Sequence, residues 1–149
     1  MKRILMVCLG NICRSPMAQG ILEHKFFQKK KEAYVDSAGT SAWHDGERPD
    51  SRAIQTMKKY AIDISKQRSR PFSRTDFKEF DYIYAMDISN FNDILAQAQT
   101  DEDKNKVQLI LNISYPQKNL SVPDPYYDDG FDTVYNLLNE ACEIIAEKI

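Results

Sequence analysis

Two residues with strong chemical potential lie close together near the start of the chain. They are the ends of the segment Cys8-Leu9-Gly10-Asn11-Ile12-Cys13-Arg14, and Ser15 follows at once. A cysteine that has lost its proton is a strong nucleophile. An arginine offers a planar fork that grips two phosphoryl oxygens and follows their charge into a transition state. The spacing alone is a weak signal, and a buried structural cysteine beside an unrelated arginine is the competing reading. Context favours chemistry. A short apolar run delivers Cys8, Gly10 and Asn11 supply a loop, and Ser15-Pro16 opens a helix, with Ser15 as its expected cap and Pro16 at the first helical position. Backbone N–H groups of Leu9, Gly10, Asn11, Ile12, Cys13, Arg14 and Ser15 in such a loop form a nest for a dianion, reinforced by the helix dipole. The same field favours a thiolate at Cys8, and Ser15 is placed to hydrogen-bond it.

Positioning these groups requires a framework, and the hydrophobic pattern supplies one. Ile4-Leu5-Met6-Val7 is a continuous apolar run, as expected of a strand buried on both faces. A helix follows through Met17, Ala18, Ile21, Leu22 and Phe26 and ends in Lys29-Lys30-Lys31. Further strands are predicted at 34–39, 81–86 and 106–111, and further helices at 50–60, 88–99 and 131–148. Ser89 or Asn90 is the expected cap of the helix at 88–99. The last helix carries Val134, Leu137, Leu138, Ala141, Cys142 and Ile145 on one stripe. Alternating strands and helices predict an α/β fold, a parallel sheet covered on both faces. Ligands in such folds bind at the carboxyl ends of strands near a topological switch point, which is where Cys8 falls.

The 149 residues fit one domain spanning 1–149 with a single core, and no apolar run approaches the roughly 18 residues of a membrane span. The net charge of −2 conceals a split: residues 1–75 carry 15 Lys+Arg against 7 acids, and residues 76–149 carry 5 against 15. Two solvated faces or an anion site in the first half would each produce it. Three cysteines, Cys8, Cys13 and Cys142, do not make a disulfide framework, and a reducing, cytoplasmic setting is expected. Met1-Lys2-Arg3 and the apolar run after it resemble an export signal only faintly, because the run is too short.

The segment Val7-Cys8-Leu9-Gly10-Asn11-Ile12-Cys13-Arg14-Ser15-Pro16-Met17-Ala18 resembles the signature of the low-molecular-weight protein tyrosine phosphatases. Asp36-Ser37-Ala38-Gly39-Thr40, Trp43-His44, Pro49-Asp50-Ser51-Arg52-Ala53, Tyr82 to Asp87 and Asp124-Pro125-Tyr126-Tyr127 continue the likeness in order. The resemblance implies a three-layer, doubly wound, four-stranded parallel sheet in the order 2-1-3-4. It also implies a site without metal or cofactor, and attack by Cys8 on phosphotyrosine with Arg14 binding the phosphate. It further assigns Asp124, held between Pro123 and Pro125, as the acid that protonates the leaving phenolate and later activates water. Spacing alone does not choose Asp124 among the aspartates. Activity is expected to favour mildly acid pH, since a carboxyl group beside a phosphate dianion holds its proton longer.

Trp43, Tyr126 and Tyr127 are expected to wall a slot deep enough to favour phosphotyrosine over phosphoserine. Asn11 is expected to be left-handed, with Ser37 as a partner. His44 reads either as a residue that touches substrate or as a solvated loop residue, the second being preferred. Cys13 is either a packed residue under the loop or a partner for a reversible disulfide with Cys8. Gln19 and Lys66-Gln67 depart from the family pattern, the latter where a buttressing His is common, and Arg68 to Phe72 also looks altered. A thioredoxin-coupled arsenate reductase would need two further downstream cysteines, and only Cys142 follows. A silent phospho-ligand module would have lost Cys8, Arg14 or Asp124. Expected partners are a phosphotyrosyl protein or small aryl phosphate, with inorganic phosphate or similar oxyanions in the site. Nucleic acid and membrane are not expected, and the chain is expected to be a monomer or weak homo-oligomer.

Overall fold

The computed structural model describes residues 1–149. Strands β1 (Lys2–Cys8), β2 (Ala33–Gly39), β3 (Tyr82–Ala85) and β4 (Val107–Leu109) form one parallel sheet in the order β2-β1-β3-β4. Strand β1 is central because all of Ile4 to Val7 are apolar, and each is 0% exposed. Alternation then sorts its side chains. Ile4, Met6 and Cys8 enter the core on one face, while Leu5 and Val7 enter the core on the other.

The helices divide accordingly. On the first face, α1 (Arg14–Gln28) contributes Met17, Ala18, Ile21, Leu22 and Phe26. Helix α2 (Ser51–Lys58) adds Ala53, Ile54 and Met57, and α7 (Phe131–Lys148) adds Val134, Leu138, Ala141, Cys142 and Ile145. On the second face, α3 (Asp76–Glu79) contributes Phe77 and α4 (Ile88–Leu95) contributes Ile94. The chain leaves β1 toward β2 on one side and meets β3 on the other, so the switch point lies at the end of β1. No helix is long and apolar enough to cross a membrane.

Several local expectations are corrected. Ser15 is not the cap of α1: Cys13 holds that position, and no side chain caps the helix. Helix α4 is capped by Asp87 rather than Ser89 or Asn90. Asp87 has extended backbone geometry, and its carboxylate accepts from the Asn90 N–H at 2.7 Å. Three short helices were not foreseen: α3, α5 (Asp101–Asn105) and α6 (Leu111–Ser114). Helix α5 has no buried residue and therefore no apolar period to read; the Thr100 cap and three acids in its first turn hold it. Helix α6 starts two residues beyond β4 and ends that strand early.

The lysine run after α1 is used in docking rather than in anion binding. Lys25 and Lys29 pair with Glu143 of α7 at 3.1 and 2.6 Å. The Lys31 ammonium donates to the Ala146 and Glu147 carbonyls at 2.7 and 3.1 Å, closing the end of α7. Leu22, fully enclosed in the core between α1 and α7, tests this packing. Leu22→Ala is expected to lower the unfolding free energy by about 2–5 kcal/mol with an unchanged urea slope, read by equilibrium denaturation.

Candidate active site

The loop after β1 turns around the sulfur of Cys8. Its carbonyls face outward and are bound by neighbouring segments. The Cys8 carbonyl accepts from Thr40 N at 2.9 Å, Leu9 from Ser41 N at 3.0 Å, Ile12 from Asp50 N at 2.8 Å and Cys13 from Met17 N at 3.1 Å. The Gly10 carbonyl accepts from the Ser69 hydroxyl at 3.1 Å. With the carbonyls turned out, none of the backbone N–H groups from Leu9 to Ser15 finds an acceptor within the protein. Open donors around one point, at the uncapped start of a 15-residue helix, form an anion cradle.

Asn11 shapes the loop. Its φ of 56° is left-handed, a conformation asparagine tolerates better than most residues. Its side chain fixes a chain of protons. Asn11 Oδ1 accepts from Arg70 N at 3.1 Å, so its amide nitrogen faces two serines. That nitrogen donates to Ser37 Oγ at 3.0 Å and Ser15 Oγ at 2.8 Å. Ser37 passes its own proton to Gln19 Oε1 at 2.7 Å. The Ser15 hydroxyl thus keeps its proton for Cys8 Sγ, 3.0 Å away, with the Ala38 carbonyl a longer alternative at 3.4 Å. Gln19, a departure from the family pattern, serves as the terminal acceptor of this network.

Arg14 is buried, and one edge of its guanidinium is already held. Nη1 donates to Asp87 Oδ2 at 2.8 Å and to the Val122 carbonyl at 3.0 Å. Nη2 faces Asp124 Oδ2 at 3.6 Å. Burial works against its charge, but Cys8, the Asp87 hydrogen bond and Asp124 outweigh burial and hold the guanidinium above its ordinary pKa. Asp124 Oδ1 accepts from Tyr126 N at 3.1 Å, which fixes the carboxylate on its loop.

A cavity of about 200 Å³ opens over Cys8. Cys13, Arg14, Trp43, His44, Asp124, Tyr126 and Tyr127 are among the residues that line it. Trp43 and Tyr127 are about four-fifths exposed, and the Tyr126 and Tyr127 rings meet edge to face at 5.2 Å. The sequence left His44 between a substrate contact and a solvated loop residue. It lines the cavity, its ring packs on Gly10, where an added Cβ would lie 3.1 Å from His44 Cδ2, and its Nδ1 is 3.0 Å from Glu47 Oε2. Only the three-dimensional approach of the 43–47 loop to Gly10 reveals this placement.

All three cysteines are free thiols. Burial, followed by the negative charges of Asp50, Cys8 and Asp124, pushes the Cys13 thiol up. Cys142 is wholly enclosed in the core, and burial raises its pKa to about 12. The altered stretch near Lys66 supports the loop through different groups. Gln67 Nε2 donates to the Pro16 carbonyl at 3.1 Å, Ser69 holds Gly10, and Arg70 holds Asn11 through its backbone. The Arg70 side chain pairs with Asp36 and Asp76 at 3.1 Å each.

This geometry has close relatives. Residues 3–149 match the family model for low molecular weight phosphotyrosine protein phosphatase. The low molecular weight phosphotyrosine protein phosphatase of Schizosaccharomyces pombe is 43% identical over 138 residues, covering 89% of this chain and 87% of the relative. A crystal structure of the Entamoeba histolytica protein tyrosine phosphatase with Hepes in its active site superposes with a TM-score of 0.92 and 36% identity, covering 99% and 96% of the two chains. A Drosophila arginine phosphatase superposes with a TM-score of 0.90 and 35% identity, covering 99% and 97%. With nearly its whole length matched and Cys8 at the base of an anion cradle, the chain belongs to the low molecular weight phosphotyrosine protein phosphatases and is a protein-tyrosine-phosphatase.

Proposed function

We propose that residues 1–149 form one phosphatase domain that hydrolyses phosphotyrosine and small aryl phosphates through a phosphocysteine on Cys8. The observation that carries this reading is the ring of unpaired N–H groups from Leu9 to Ser15 around the Cys8 sulfur, with Asp124 across the cavity. Those donors and Arg14 hold three phosphoryl oxygens. They leave the phosphorus open to the sulfur on one side and the leaving oxygen on the other. The Cys8 thiolate forms the S–P bond as the P–O bond to the phenol breaks. Asp124 gives its proton to the departing oxygen. It then takes a proton from water as that water attacks the phosphocysteine, and the S–P electron pair returns to sulfur. The Ser15 hydroxyl, aimed at Sγ by the Asn11 network, stabilises the thiolate as it leaves.

Trp43, Tyr126 and Tyr127 line the cavity and would wall a phenyl ring beyond the phosphate. A phosphoserine ester is too short to reach them. The occupant of the related Entamoeba site is a sulfonate buffer, which supports oxyanion binding at the same place. The partner in this reading is a phosphotyrosyl protein or small aryl phosphate, with inorganic phosphate as product.

Steady-state hydrolysis of p-nitrophenyl phosphate without added metal tests the mechanism. Cys8→Ser is expected to abolish turnover, and retained turnover would refute nucleophilic catalysis by Cys8. Asp124→Asn is expected to lower kcat/KM for phenyl phosphate by about 10²–10⁴-fold. Asp124→Ala as a substrate trap in cell lysate, read by mass spectrometry, should retain phosphotyrosyl proteins; enrichment of phosphoarginine peptides instead would overturn the substrate class.

The loop itself gives a separate expectation. Asn11→Ala removes three side-chain hydrogen bonds and puts alanine in left-handed backbone. Competitive inhibition by inorganic phosphate should weaken about tenfold, equivalent to ~1.4 kcal/mol.

A further inference from the structure

Arg52, on the first turn of α2, joins two walls of the site. Nε and Nη2 donate to the two Asp50 oxygens at 3.1 Å each. Nη1 donates to Asp129, and Nη2 also donates to the Tyr126 carbonyl at 3.2 Å. The guanidinium lies 5.4 Å from the Tyr126 ring centre and 5.0 Å from that of Phe131. On one side, Asp50 is fixed to the loop under Cys8 through its N–H to the Ile12 carbonyl. On the other side is the segment 122–130, which carries Asp124.

That segment has few other ties. Its start is held by Val122 N donating to Met86 O at 2.8 Å, and Asp129 N closes back on Pro125 O at 2.9 Å. Apart from the adjoining Phe131 N–H, which donates to the Asp129 carbonyl at 2.9 Å, Arg52 is the only residue outside the segment that hydrogen-bonds to residues 125–129. It is also the one cation that pairs with either of two carboxylates, Asp50 and Asp129. A lysine in its place has one compact ammonium and cannot span Asp50, Asp129 and the Tyr126 carbonyl together.

We propose that Arg52 is a positioning residue: it pins the Tyr126–Asp129 turn to Asp50 and thereby sets the reach of the Asp124 carboxyl over Cys8. This rests on the reading of Asp124 as the proton donor. Its signature is sensitivity to the leaving group, because a misplaced acid harms basic phenolates far more than p-nitrophenolate.

The test measures kcat/KM for a series of substituted phenyl phosphates with the wild type, Arg52→Gln, Arg52→Lys and Asp124→Asn. Arg52→Gln is expected to lower kcat/KM for phenyl phosphate by about 10–100-fold and for p-nitrophenyl phosphate by less than about threefold, with Arg52→Lys following the same pattern. The inhibition constant of inorganic phosphate should stay within about twofold, since the cradle keeps its own hydrogen bonds. An equal fall across the series, or a phosphate constant that worsens in step with kcat/KM, would overturn the proposal in favour of a structural role. Asp124→Asn separates the two claims. If it steepens the dependence and Arg52→Gln does not, the positioning role alone fails. If Asp124→Asn leaves the dependence flat, the proton-donor assignment fails and the role of Arg52 fails with it.

Discussion

A peptide loop cannot turn its N–H groups toward one point without turning carbonyls away from it, and buried carbonyls need donors. The cradle around Cys8 depends on meeting that requirement. Donors come from the segment after β2 (Thr40, Ser41), from the cap of α2 (Asp50), from the stretch before α3 (Ser69) and from α1 itself (Met17). Each bond contributes about 0.5–1.5 kcal/mol, and a carbonyl left buried without a partner costs about 1–3 kcal/mol. The parallel sheet serves this purpose at the level of the fold. With β1 central and the crossovers leaving on either side, the surrounding segments all arrive at the carboxyl end of the same strand.

Arg14 illustrates how stability and chemistry share residues. Asp87 caps α4 with one oxygen and holds Arg14 with the other. The helix terminus and the guanidinium are thus oriented by one carboxylate at the end of β3. Arg14 is almost wholly enclosed, so its charge needs these partners in the absence of an oxyanion. A cation oriented before an oxyanion arrives is, under the proposed mechanism, the arrangement that stabilises developing charge without reorganisation.

Much of this was legible in the sequence because the signals were local or periodic. The apolar run Ile4 to Val7 marks the central strand, and the stripe from Val134 to Ile145 marks the final helix. The loop from Cys8 to Ser15 is readable because glycine, asparagine, cysteine and arginine occur together at one strand end. What was not legible depends on tertiary contact. Asp87 displaces Ser89 and Asn90 as cap because β3 ends in an extended conformation that frees its carboxylate. Ser15 looks like a cap but turns its hydroxyl to a sulfur seven residues back. His44 and Arg52 fall in motifs that carry the family likeness, but nothing in those motifs says what either side chain touches; their placement follows from loops folding over Gly10 and Tyr126. Helix α5 lies on the surface and has no buried face to betray it.

The outward carbonyls also bear on how such a chain can change over time. Every partner of the loop is in fixed register, so one residue inserted between Cys8 and Arg14 would misalign several bonds at once. The length of this segment is therefore constrained. Trp43 and Tyr127 are largely exposed, and no hydrogen bond from outside their own segment fixes either side chain. New substrate preferences can accordingly arise by exchanging the exposed rim, with the chemical step inherited unaltered beneath it.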